Sequence, residues 1–202
     1  PLAVAQALVP PPRAADFVTR VAAPVTAAPG TGNTGPARPL VSGTGICGVA
    51  ILSGRELGHV SGPGQCGVDN AVEVTAIGGI ALSTGLTVDC NTASALAKWV
   101  QDVANPTIGN AGGGLARLEV GGGYACRGRN NVPGARLSEH AFGHAVDIMG
   151  FRLADGTRLT VIGDWGNRML RAMHRGACGI FGTVLGPDAN AYHRDHFHFD
   201  TA

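Results

Sequence analysis

SEHAFGHAVD, residues Ser138–Asp147, sets an imidazole at His140 and a carboxylate at Asp147. HRDHFHFD, residues His193–Asp200, answers it near the end of the chain with His193, His196 and His198. Side chains alternate between the faces of a strand, so His196 and His198 point to the same side. His140 and Asp147 are too far apart for one face of a short strand, and Gly143 between them supplies a bend. Asp147 then begins a hairpin strand, and His198 reaches it from an adjacent antiparallel strand. Three N and O ligands with one position left for water is how a catalytic zinc ion is held. His140, Asp147 and His198 are therefore candidate metal ligands, and His196 is left over for proton transfer.

Two neutral imidazoles and one carboxylate leave such an ion net positive, which is what lowers the pKa of water and polarises a carbonyl. His193 is expected further out, as a supporting or substrate-facing group. Glu139 is too near His140 in sequence to be assumed a ligand, and is a candidate for a hydrogen bond behind the ligands. Arg127 and Arg129 follow in YACRGRN, where a rigid guanidinium fork could grip a peptide carboxylate. A disulfide at Cys126 would pin the loop that carries Arg127. His59, His144 and His174 read as surface or core histidines.

Length and composition bound what surrounds this site. The chain has 202 residues, enough for one domain with a tail. Charged residues make up 14% and the formal net charge is +1, which leaves no footprint for nucleic acid. No apolar run approaches the roughly 20 residues of a membrane span. No signal peptide is recognisable, which leaves export open. Aromatics are 5% of the chain, so Val, Leu, Ile and Ala must build the core.

Five cysteines, Cys47, Cys66, Cys90, Cys126 and Cys178, contain no CxxC pair, which argues against a thiolate zinc knuckle or a redox motif. Their wide spacing suits disulfides in an exported protein. Two bridges and one free thiol are expected, with at least one of Cys126 and Cys178 bridged and the pairing open.

Residues 1–44 are rich in Pro, Ala and Gly, with eight of the twelve prolines in the first forty positions. They read as an arm or linker, and residues 45–202 as the folded domain. Strands are expected at Ala71–Ile77, Ile80–Leu82, Leu115–Val120, Ala145–Phe151, Arg158–Ile162 and Phe197–Phe199. A helix capped by Thr92 should bury Leu96, Trp99, Val100 and Val103 and stop at Asn105-Pro106. Asp155-Gly156 marks a hairpin turn, and Asp164 is a candidate cap for a second helix over Trp165–His174. Strands and helices without a βαβ rhythm argue for an α+β fold with an antiparallel sheet.

At these residues the chain resembles known families. SEHAFGHAVD fits the SxHxxGxAxD signature of the lysostaphin, D-Ala-D-Ala metallopeptidase and hedgehog (LAS) zinc fold, and HFH (196–198) fits its closing HxH. The wider pattern of YACR, LSEHAFGHAVDIMGF, the Trp165 helix and MHRGACGIFGTVLGPDANAYHRDHFHFD resembles the bacterial extensin-like C-terminal domain, over about residues 45–201. The HxxHxH run is similar to that of penicillin-insensitive murein endopeptidases. This likeness implies a small antiparallel sheet flanked by helices, zinc on His140, Asp147 and His198, and His196 as the catalytic histidine. It also implies substrate contact by an arginine ahead of the motif, here Arg127 in YxCR rather than the usual aromatic-Arg pair.

Two functions follow from different classes. One is a periplasmic or envelope zinc peptidase that hydrolyses D,D or L,D cross-links between peptidoglycan stem peptides through zinc-activated water. The other is a non-catalytic peptidoglycan-binding module whose zinc is structural. An open metal position favours the first, and a fourth protein ligand the second.

Overall fold

The computed structural model describes residues 45–202. The expected arm, residues 1–44, lies outside them. The described residues form an α+β fold around a sheet of eight strands. These are β1 (Leu52–Ser61), β2 (Gly67–Ile77), β3 (Ile80–Asp89), β4 (Leu115–Gly122), β5 (Ala145–Leu153), β6 (Arg158–Thr160), β7 (Thr183–Leu185) and β8 (Phe197–Asp200). The spatial order is β1-β2-β3-β4-β5-β8-β7, with β6 pairing β5 beyond the end of β8.

The sheet is therefore larger than the small antiparallel one expected, and it is not wholly antiparallel. β3 and β4 run parallel through Ala81↔Arg117 and Leu82↔Leu118. The connection between them explains this, because a parallel pair needs a long crossover. Here it carries α1 (Cys90–Trp99), the widened turn Val100–Ala104 and the helical turn Asn105–Ile108.

α1 starts earlier than expected. Asp89 is its N-cap and accepts from Thr92 N at 2.7 Å, so Thr92 lies inside the first turn. The Thr92 hydroxyl instead meets Thr201 Oγ1 at 2.9 Å. The chain also stays helical past Asn105-Pro106, to Ile108. Pro106 follows the widened turn at the start of a new helical segment, where its missing N–H costs little. Gly109, with φ 54°, ends it.

The second helix, α2 (Arg168–Gly176), is capped by Asn167, whose Oδ1 accepts from Met169 N at 2.8 Å. Asp164 serves the preceding turn, where its carboxylate accepts from Thr160 N at 2.8 Å. That turn starts at Val161, so β6 ends at Thr160 rather than Ile162.

Alternation along β5 and β8 separates core from site. Val146, Ile148, Phe197 and Phe199 are fully buried, and the pairs Val146↔Phe199 and Ile148↔Phe197 lie on one face. Trp99 anchors that core, with its ring 5.3 Å from Phe199 and its Nε1 donating to Met173 O at 3.0 Å. At about 25 cal/mol per Å² of apolar surface, each such aromatic contributes a few kcal/mol. Asp147 and His198 occupy the opposite face as another directly opposed pair. The core thus fixes the register that brings the two candidate ligands together.

Two disulfides, Cys47–Cys90 and Cys66–Cys126, tie down the first part of the sheet, and Cys178 is free and exposed. The expected two bridges and one free thiol are present, with Cys126 bridged and Cys178 not. Among the described residues no helix is long and apolar enough to cross a membrane.

Candidate metal centre

His140 sits on a single 3₁₀ turn, Glu139–Phe142, which stops at Gly143 in the left-handed region (φ 72°). That residue turns the chain into β5, as its position between the two motif residues required. A Cβ there would lie 2.6 Å from Val68 Cγ1, so glycine is needed for space as well as for backbone angle. The turn is held from outside, since Ala125 N donates to His140 O at 3.0 Å and Asp89 N to Gly143 O at 3.0 Å.

Three ligand atoms converge. His140 Nε2 is 3.1 Å from Asp147 Oδ1, His198 Nδ1 is 3.0 Å from the same oxygen, and the two nitrogens are 3.2 Å apart. A tetrahedral ion bonded at about 2.0–2.1 Å holds its ligand atoms about 3.3–3.4 Å apart, so this triangle is close to metal size. His140, Asp147 and His198 form a group able to hold a metal ion.

The hydrogen bonds behind each ring test that fit. His140 Nδ1 lies 2.7 Å from the Gly123 carbonyl, which can only accept, so this nitrogen carries the proton. His198 Nε2 lies 3.2 Å from Asp200 Oδ2, which places a proton there. In the neutral rings, the nitrogens left to face Asp147 are lone pairs. Two imidazole lone pairs and a carboxylate oxygen within 3.0–3.2 Å of one another need a positive charge between them. The donor set, N, N and O, suits zinc.

Electrostatics agree. Burial works against the charge on Asp147, but the rings of His140 and His198 beside it outweigh burial and hold its carboxyl far below the usual carboxylate range. Burial likewise works against His198, but Asp147 and Asp200 outweigh it and raise the imidazole to about 9. Without a metal, a proton on His198 supplies the missing positive charge.

His196 lies outside this triangle. Its Nε2 is 3.5 Å from Asp147 Oδ1, and its Nδ1 is 2.8 Å from Asp195 Oδ1. The hydrogen bond to His196 lowers the Asp195 pKa from its ordinary value. His193 is buried, with its ring 5.2 Å from His196 and 5.6 Å from His198. Its Nδ1 meets Asn190 Oδ1 at 2.8 Å. Burial, then His196 and His198, pushes His193 down to about 4, so it is neutral near pH 7.

Arg127 reaches the site, with Nη2 3.7 Å from Asp147 Oδ2, and the Cys66–Cys126 bridge pins the residue before it. The Glu139 carboxylate makes no hydrogen bond or ion pair with the three candidate ligands. It lies 3.6 Å from Arg129 Nη2 and 3.3 Å from His144 Nδ1, on the other side of the turn. There it lines an open cleft of about 460 Å³ with Asp89, Arg136 and His144, and no member of the triad borders that space.

Asp195, Asp200, Asn190 and the Gly123 carbonyl were not singled out from the sequence. Two of them had a readable signal, since Asp195 adjoins His196 and Asp200 lies one strand period from His198. No curated protein and no solved structure matches the chain. A family model does match, over residues 52–202, most of the chain and both halves of the candidate metal centre. The chain belongs to the family of that model, Extensin-like protein C-terminus.

Proposed function

We propose that residues 45–202 are a zinc peptidase of LAS type that hydrolyses cross-links between peptidoglycan stem peptides outside the cytoplasm. The observation that carries this reading is the convergence of His140, Asp147 and His198 with His196 beside them and outside their group. A spare imidazole at the rim of a three-ligand site is the arrangement of a hydrolytic centre. A structural zinc site is closed by four protein ligands, whereas this group has three members among the described residues.

A bound zinc ion would supply Lewis-acid polarisation of the scissile carbonyl and activation of water. His196 takes the proton of the attacking water at Nε2 and returns it to the leaving amine. Arg127, beside the carboxylate of Asp147, stabilises charge developing on the carbonyl oxygen or grips a substrate carboxylate. His193, neutral near pH 7, offers substrate a hydrogen-bonding ring without adding charge beside the ion. Both disulfides suit an oxidising compartment such as the periplasm, where peptidoglycan is within reach.

The test is incubation of the zinc-loaded protein with purified muropeptide dimers. Conversion to monomers is expected, and the mass of the products identifies the D,D or L,D bond cut. Tight binding without turnover, with zinc fully bound, would replace this reading by the wall-binding module.

A further inference from the structure

We propose that Asp195 is a positioning residue that fixes the tautomer and direction of His196, so that Nε2 faces the metal centre with its lone pair free. The inference rests on the hydrolytic reading of the site, and it concerns a residue for which neither motif assigns a role.

The two histidines of HFH present different nitrogens to Asp147. His198 shows Nδ1, at 3.0 Å from Oδ1, and His196 shows Nε2, at 3.5 Å from the same oxygen. Each ring has its own carboxylate on the nitrogen facing away. Asp200 Oδ2 takes Nε2 of His198 at 3.2 Å, and Asp195 Oδ1 takes Nδ1 of His196 at 2.8 Å. An ionised carboxylate only accepts, so in the neutral ring it holds the proton on the nitrogen that it touches. Asp200 therefore leaves Nδ1 of His198 as a ligand lone pair. Asp195 leaves Nε2 of His196 as a base.

Without that partner, a free imidazole prefers its proton on Nε2, the tautomer that cannot accept one at the site. The ring would also lose the bond that sets its orientation. His196 is largely buried, whereas Asp195 is half exposed, so the pair reaches from solvent to the rim of the site. Position in the chain supports the same division of work. Asp195 and His196 both precede β8, where the strand alternation that aims His198 does not yet apply, so a local hydrogen bond directs His196.

The experiment uses the full chain, zinc-loaded, with nitrogen-15 NMR of the histidine rings beside kinetics on a cross-linked muropeptide. In the unaltered protein the His196 signals should report a proton on Nδ1 and a bare Nε2. Asp195→Ala should move that proton to Nε2 and lower kcat about 10–100-fold with KM little changed. Zinc content and thermal midpoint should be retained, and Asp195→Glu should recover part of both signals. A proton on Nε2 of His196 in the unaltered protein overturns the proposal outright, whatever the variants do. An unchanged tautomer and unchanged kcat in Asp195→Ala overturn it as well. If the unaltered protein binds zinc but cuts no muropeptide, the peptidase reading fails, while the ring spectra still decide the role of Asp195.

Discussion

Asp147 and His198 face each other directly across β5 and β8, with Oδ1 and Nδ1 3.0 Å apart, although they are 51 positions apart in sequence. Their neighbours Val146, Ile148, Phe197 and Phe199 are wholly buried on the other face of the same two strands. A one-residue slip of β8 against β5 would turn His198 into the core and bring Phe side chains to the face of Asp147. The candidate metal centre and the hydrophobic core are thus set by one register.

Replacing His140, Asp147 or His198 with Ala should sharply reduce zinc content, read by elemental analysis. His196→Ala should keep zinc and lower turnover by at least about 100-fold, because it removes a proton carrier and no ligand. Loss of zinc in His196→Ala would reverse the roles of the two histidines in HFH.

Asp200→Asn tests the carboxylate behind His198. Asn keeps the size of the side chain but lacks the charge that holds a proton on His198 Nε2. Outer-shell partners of this kind typically control metal affinity by about 10–100-fold, and a loss in that range is expected. Competition against a chelator of known zinc affinity measures it, and an unchanged affinity would remove Asp200 from the centre.

The metal-free protein should lose stability as pH rises from 6.5 through 9. His198 is raised from its ordinary 6.5 to about 9 on folding, so its contribution is complete below pH 6.5 and gone above pH 9. The amount at stake is about 3 kcal/mol, from the linkage between pKa shift and stability. Zinc replaces that proton, so the stabilisation zinc confers should grow over the same interval. Denaturant titrations at several pH values, with zinc and with chelator, give both curves. Flat metal-free stability across this range would show that His198 carries no such proton.

The candidate ligands were legible because each depends on a local rule. Strand parity sets His198 on the face away from Phe197 and Phe199, and Gly143 between His140 and Asp147 signals the bend that the structure contains. His196, expected on the same strand face, lies on the bend just before β8, so parity does not reach it. The strand β8 and the turn at Asp155-Gly156 follow from similarly short-range patterns, whereas the pairing of β8 to β5 was legible only through the need to bring His198 to Asp147. β1 was not legible, because most of its residues are exposed and Gly54 and Gly58 interrupt it beside register shifts. It exists because β2 offers it an edge. The parallel pairing of β3 with β4 was equally hidden, since two residue pairs at the end of a long crossover leave no periodicity. Glu139 shows the opposite failure. Its place beside His140 suggested support for a ligand, yet adjacent residues on a tight turn point apart, and its carboxylate serves Arg129 and His144.

Gly143→Ala should damage fold and site together. The left-handed backbone costs an L residue about 1–2 kcal/mol. The added methyl also meets Val68 Cγ1 at 2.6 Å and Asp89 N at 3.1 Å, so β2 or the turn must move. Relief by moving the turn shifts His140 relative to Asp147, and zinc affinity should fall with stability. Gly156 separates the two effects, because it has φ 89° in the β5–β6 hairpin and open space where a Cβ would stand. Gly156→Ala should therefore carry the backbone cost alone and leave zinc affinity intact. Chemical denaturation and chelator competition on both variants distinguish the outcomes. Equal zinc affinity in the two would mean that the bend at Gly143 stabilises the fold without setting the distance between His140 and Asp147.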